Sequence, residues 1–150
     1  MSNFIERSFN ERLKDILEDN NLTYKTLPET SKICKRTVYC WFKYNIPPST
    51  ESIIKLARFF ECPVDYFIGE TEETKIKFSD NPISFSERLK SLIEGKKVTA
   101  YRACMNLHIK TDIMSVWLNK GRLPNRENLL SLMDYFKCSA DYLLGLVDRK

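Results

Sequence analysis

A shift of 76 residues lays one half of this 150-residue chain on the other: Ser8–Gly69 aligns with Ser84–Gly145 without a gap, and 18 of the 62 columns are identical. The matches include Ser8/Ser84, Phe9/Phe85, Glu11/Glu87 through Lys14/Lys90, Thr23/Thr99, Trp41/Trp117, Pro48/Pro124, Phe60/Phe136, Cys62/Cys138, Asp65/Asp141, Tyr66/Tyr142 and Gly69/Gly145. An ungapped self-match of this length makes the molecule a duplication, so whatever fold one copy adopts the other is expected to adopt. Between the copies, Glu70–Ile83 carries Thr-Glu-Glu-Thr and Ser-Asp-Asn-Pro, polar and turn-prone, and reads as a linker. The expected division is therefore a first domain over 1–69, a linker over 70–83 and a second domain over 84–150. The second copy ends five residues before the last one, so no ligand-sensing or catalytic domain is expected after it.

Within each copy the apolar period is helical, and no alternating strand pattern competes with it. Ser8-x-x-Glu11 and Ser84-x-x-Glu87 are capping boxes for a first helix. Its core face is Phe9, Leu13, Ile16 and Leu17 in one copy and Phe85, Leu89, Leu92 and Ile93 in the other, the i, i+4, i+7, i+8 pattern. Thr23 and Thr99 are placed to cap a short second helix. A third is predicted from about Cys34 to Lys43 and from about Lys110 to Asn119, a fourth after Pro48 and Pro124, and a last short one ending at Gly69 and Gly145. The expectation is all-α, five helices per copy.

Composition removes several classes of function. With 43% apolar and 29% charged residues the chain reads as globular. It has no run near the roughly 18–20 apolar residues of a membrane span, and Met1–Arg7 lack the basic start of a signal peptide. A cytoplasmic protein with no membrane partner is expected. Five cysteines (Cys34, Cys40, Cys62, Cys104, Cys138), odd in number and widely spaced, fit neither a disulfide framework nor a zinc site. Most read as small buried apolar residues, with a redox switch at Cys34 or Cys40 as the sharper reading. His108 stands alone, and no nucleophile–base pair or metal cluster is visible, so no enzyme, catalytic residue, metal, cofactor or small-molecule ligand is expected.

Net charge is only +4, but it is unevenly spread. From Lys25 to Lys43 five cations face Glu29, and from Tyr101 to Arg122 four cations face Asp112, while Tyr44–Lys75 is net acidic. Two separated positive windows, one per copy, are the pattern of a polyanion-binding surface.

Leu22-Thr23 and Val98-Thr99, Ile33 and Ile109, Trp41 and Trp117, Pro48 and Pro124, and the endings Val-Asp-Tyr-Phe-Ile-Gly69 and Ala-Asp-Tyr-Leu-Leu-Gly145 resemble the Cro/C1-type (XRE family) helix-turn-helix repressors. Trp117-Leu-Asn-Lys-Gly-Arg-Leu-Pro124 followed by Asn128-Leu-Leu is the most specific stretch, and the resemblance covers about four-fifths of the chain. It implies two tandem five-helix lambda-repressor-like domains whose second and third helices form the motif, with the third lying in the DNA major groove. The groove-facing positions so implied are Lys35, Arg36, Tyr39 and Cys40 in the first copy, and Thr111, Asp112, Ser115 and Val116 in the second, whose helix Lys110 opens. Phosphate contacts are implied for Thr23 and Lys43, and for Thr99, Asn119, Lys120 and Arg122. Arg36 is of the type that reads guanine by a bidentate contact.

The copies diverge where such a surface would lie. Of columns 24–47 only Ile33/Ile109 and Trp41/Trp117 are identical, both apolar and expected in the core, while the other 38 columns hold 16 identities. The scaffold is kept and the reading surface is not, so the two copies are not expected to read the same bases. Some positions depart from the family. Tyr24 and Ala100 stand where a DNA-contacting glutamine is usual, Lys32 and His108 replace the turn glycine, and Pro28 falls within the expected second helix. Thr26-x-x-Glu29 offers a later capping box that leaves Pro28 in the first turn.

The leading expectation is a sequence-specific DNA-binding transcriptional regulator, a bacterial or phage repressor, acting on double-stranded DNA. Single-motif relatives span two half-sites about 34–36 Å apart as dimers; here two motifs share a chain, as an intramolecular pseudo-dimer or within a homodimer. A linker of 14 residues reaches roughly 45–50 Å. The aromatics Phe59, Tyr66, Phe67, Tyr135 and Tyr142 are expected to pack the repeats together or to form a homodimer. The alternative is a protein-interaction module, of antitoxin or anti-repressor type, that kept the fold and lost DNA binding; the replaced glutamines, Pro28 and Asp112 motivate it.

Overall fold

The computed structural model describes residues 8–149; the reading of Met1–Arg7 lies outside them. The described residues form ten helices and no strand, and the chain divides into two compact units at Ile76/Lys77. No helix among the described residues is long and apolar enough to cross a membrane.

In the first unit, α1 (Phe9–Asp19) starts where Ser8 Oγ accepts a hydrogen bond from the Glu11 N–H. It is followed by α2 (Leu27–Ser31), α3 (Lys35–Lys43), α4 (Thr50–Phe60) and α5 (Val64–Phe67). The second unit repeats the plan with α6 (Phe85–Gly95), α7 (Ala100–Leu107), α8 (Thr111–Lys120), α9 (Arg126–Phe136) and α10 (Ala140–Leu143). Ser84 caps α6, and Thr99 caps α7 through the Arg102 N–H, as the capping signals require. The backbones agree in finer detail. The described residues with positive φ fall into five pairs 76 apart: Asn21/Lys97, Lys32/His108, Asn45/Gly121, Glu61/Lys137 and Gly69/Gly145.

The non-glycine turn proves tolerable. Lys32 (φ 62°) and His108 (φ 58°) sit left-handed between the second and third helices of their units. That conformation costs a side-chain-bearing residue roughly 1–2 kcal/mol, more than the extra unfolded-state freedom of a glycine. His108→Gly is therefore expected to stabilise the second unit by about 0.5–1 kcal/mol. A urea midpoint that fails to rise would contradict this.

Pro28 is accommodated by a late start, though not by the expected capping box. Thr26 lies in the αR region and makes no side-chain cap for α2. Its hydroxyl turns back and accepts from the Thr23 N–H (3.0 Å), while the Leu27 N–H donates to Thr23 O (3.0 Å). The single turn this builds displaces the helix start to Leu27, and Pro28 becomes its second residue, where a missing N–H leaves no bond broken.

Each unit closes around its tryptophan. Trp41 and Trp117 are buried, and each meets the phenylalanine that opens the first helix of its unit edge to face, Phe9 at 5.4 Å and Phe85 at 6.2 Å. The next residue of the first helix secures the end of the third helix: Asn10 Nδ2 donates to Trp41 O, and Ser86 Oγ to Trp117 O. Truncating such a ring costs roughly 3–5 kcal/mol, so the third helix is rigidly held.

A second clamp went unread in the sequence. Arg12 is only 4% exposed and donates from Nη1 to Tyr66 O (3.0 Å) and Thr71 O (3.1 Å), and from Nη2 to Glu72 Oε1 (2.8 Å), with its guanidinium 5.0 Å from the Tyr66 ring centre. Its counterpart Arg88 donates to Val147 O (3.1 Å) and lies 3.9 Å from the Tyr142 ring centre. Four of the five aromatics expected to pack the repeats together or to form a homodimer have partners within their own unit. Tyr66 and Phe67 are buried in the first unit's own core, and Tyr142 serves Arg88 within the second. Tyr135 likewise takes Lys96 over its ring and accepts from Asn106, while Phe59 is partly exposed against Phe60.

Nor is Glu70–Ile83 a loose tether. Thr71 and Glu72 belong to the Arg12 clamp, and the Ile76 N–H donates to Glu61 O. At the other end the Ser79 N–H donates to Leu146 O and the Ile83 N–H to Gly145 O. Each part of the segment is tied to its own unit.

Candidate nucleic-acid interface

At about 100° per residue, Lys35, Arg36, Tyr39 and Lys43 fall within one arc of α3 about 100° wide, and all four are exposed. Val38 and Trp41, on the other side, are buried. Cys40, expected on the same face, sits half-buried on its flank because the arc ends before it. The helix holds no acidic residue, and among the described residues no carboxylate pairs with Lys35, Arg36 or Lys43.

Two of those cations are at the wrong end for helix stability. The N-terminus of a helix carries a partial positive charge, so a cation in the first turn costs a few tenths of a kcal/mol where an acid would help. Lys35 and Arg36 both occupy the first turn of α3. An anion docking there meets the helix N–H groups and both side chains together. The same field acts on Cys34, the exposed residue preceding α3: the backbone N–H groups of Thr37, then Arg36, hold its thiol below the ordinary range. Burial raises the thiol of Cys104; Cys62 is buried too, and Cys40 and Cys138 are half-buried.

The rest of the first unit's site is arranged around this helix. Thr23 is exposed, with its hydroxyl engaged by Thr26. Tyr24, where the resemblance leads one to expect a glutamine, lays its ring against Phe42 of α3. Burial, and then the charges of Glu18 and Asp15, push its phenol up, so its hydroxyl stays protonated. Lys25 and Lys32 are exposed beside the motif. Sequence reasoning missed Tyr44 and Ile46, exposed just beyond α3; the only hint was two large apolar residues in a turn-forming stretch. Elsewhere on the unit Asp15, Glu18, Asp19 and Glu72 line an acidic cleft of about 300 Å³ with Tyr66 and Thr74. Among the described residues no group of His, Cys, Asp and Glu has the arrangement to hold a metal ion.

The second unit presents the same arc with different chemistry. Thr111, Asp112, Ser115 and Asn119 are the exposed face of α8, and Val116 is half-buried at its edge. Asn119 Nδ2 donates to Ser115 Oγ (3.1 Å), so two of these groups satisfy one another. Asp112 suits the helix N-terminus, the reverse of Arg36. Cations lie only at the ends, Lys110 before α8 and Lys120 and Arg122 at and beyond its last turn, all exposed. Thr99 is exposed, with its oxygen committed to the Arg102 N–H. On α7, Tyr101 and Met105 are exposed one helical turn apart.

No family model matches the chain, and no curated protein sequence or solved structure matches it.

Proposed function

We propose that the chain is a sequence-specific DNA-binding regulator of repressor type, built from two tandem lambda-repressor-like helix-turn-helix domains. In this reading α2 and α3, and α7 and α8, are the two motifs. The first is the principal reader: α3 enters the major groove with Lys35, Arg36 and Tyr39 toward the bases, and Lys43 meets a phosphate. Lys110, Lys120 and Arg122, with Thr99, hold phosphates from the second unit. The observation that carries the proposal is the pair of exposed cations in the first turn of α3. They oppose the helix dipole and so do not serve the fold, while they strengthen the site for an anion.

Titration of the full chain on random-sequence duplex DNA along a salt series tests it. The logarithm of the affinity is expected to fall linearly with log salt, with a slope of about −0.9 per phosphate contacted. Four to six contacts would give roughly −4 to −5. Absence of binding near 50 mM salt would refute the reading.

Asp112 and the exposed Tyr101 and Met105 favour a second reading for the second unit alone, as a protein-binding surface on the same fold. Alanine at Lys120 and Arg122 separates the two. An unchanged salt slope supports protein binding, and a slope reduced by about two supports phosphate contact.

A further inference from the structure

Seven large apolar side chains are exposed among the described residues, and three of them gather at the far end of α3: Tyr39 (54% exposed), Tyr44 (61%) and Ile46 (49%). The two tyrosine rings meet edge to face at 6.0 Å. The Ile46 N–H donates to Cys40 O (3.3 Å), which folds the chain after Tyr44 back onto the helix end. Asn45, left-handed between them, is tied to Asn10. The strip is therefore a built surface, with about half of each of its three side chains open to solvent. On the same arc of α3 stand Lys35, Arg36 and Lys43, with no acid on the helix.

An apolar strip edged by cations is complementary to a surface that is apolar in patches and anionic along its borders. In the major groove the one apolar group on a base edge is the C5-methyl of thymine, and phosphates border it on both sides. We infer that the Tyr39–Tyr44–Ile46 strip reads thymine methyl groups, and that the half-site bound by the first unit is thymine-bearing. This rests on the DNA-binding reading of α3 and adds what that helix discriminates. The second unit supplies an internal contrast. The positions equivalent to Tyr39, Tyr44 and Ile46 are Ser115, Lys120 and Arg122, all polar, so only one unit has the means to sense the methyl.

The experiment compares a duplex recovered by selection from a random-sequence pool with the same duplex carrying deoxyuridine for every thymine, using the full chain. Covering one methyl is worth roughly fourfold in affinity, so two give about fifteenfold in favour of the thymine duplex. Tyr39→Ala with Tyr44→Ala should bring that ratio to within about twofold of one, whereas Tyr39→Phe with Tyr44→Phe, which keeps both rings, should retain it; circular dichroism verifies that each variant is folded. Equal binding of the two duplexes by the parent chain, or a ratio that survives in the alanine variant, overturns the inference and leaves the strip to an acidic, apolar protein segment. Failure to bind any duplex overturns the DNA-binding reading beneath it, a result seen before any methyl comparison is made.

Discussion

Alanine at Lys35, Arg36, Lys120 and Arg122 together is expected to weaken duplex binding by two to three orders of magnitude near 0.1 M salt. Neutralised phosphates contribute through released counterions, about 0.9 decade each per decade of salt. Lys120 and Arg122 on phosphates account for about 1.8 decades at 0.1 M, and the base contacts of Lys35 and Arg36 bring the loss to between 100- and 1000-fold. All four are exposed, and Lys35 and Arg36 oppose the dipole of α3, so the folded state should lose no more than about 0.5 kcal/mol. Dividing the variant sharpens the result. The Lys35/Arg36 pair is expected to relax sequence preference, because the role proposed for Arg36 is at a base edge. The Lys120/Arg122 pair should weaken all sequences alike. A folded quadruple variant that binds as well as the parent would end the DNA-binding account.

Gly145→Ala is expected to be among the most damaging single substitutions for the fold. The residue has φ +79°, and a Cβ placed on it would lie 1.9 Å from Ile83 O and 2.8 Å from Ile83 C. Those are backbone atoms, and they cannot turn aside as a flexible side chain would. The clash falls where the chain is doubly tied, since the Ile83 N–H donates to Gly145 O and the Ser79 N–H to Leu146 O. Relieving it means breaking both ties and uncovering Leu144 and Leu146, which are buried. A loss of at least about 3 kcal/mol follows, a large share of the usual 5–15 kcal/mol of a small domain. Differential scanning calorimetry would register it as a transition lowered by ten degrees or more. An unshifted melting profile would show that this close approach does not exist in solution.

The two predictions rest on features of different legibility. That Gly69 and Gly145 follow their last helices could be read from the chain, because a glycine after a short apolar run is a local helix-ending signal. Why Gly145 tolerates no side chain could not, because Ile83 lies 62 residues away in sequence. The cations of α3 were visible as a charge window, and their helix was predicted to within a residue. Their common exposure required knowing which side of α3 Val38 and Trp41 bury. Cys40 shows the limit: it was assigned to the reading face by resemblance, and the packing of the helix turned it to the flank.

Arg12 and Arg88 make the same point from the core. Each lies one residue before a fully buried leucine, on the helix face already assigned to the interior, and each is identical between copies. Nothing local announces the burial of an arginine there, because it depends on carbonyls brought from Tyr66, Thr71 and Val147, more than fifty residues off. Tyr66 and Tyr142, expected to pack the repeats together or to form a homodimer, are each the ring on which the arginine of their own unit rests.

What the chain alone determined, then, was the duplication, the five helices of each copy, the caps at Ser8, Ser84 and Thr99, though not one at Thr23, and the two windows of positive charge. Helix starts, ends and amphipathic period depend on hydrogen bonds and side chains within a few residues of one another. What only the tertiary structure decided was which charged groups face water, which are buried as clamps, and that Tyr39, Tyr44 and Ile46 form one exposed strip beside Lys35, Arg36 and Lys43. Those outcomes turn on groups distant in sequence arriving at the same place, and no local pattern encodes that arrival.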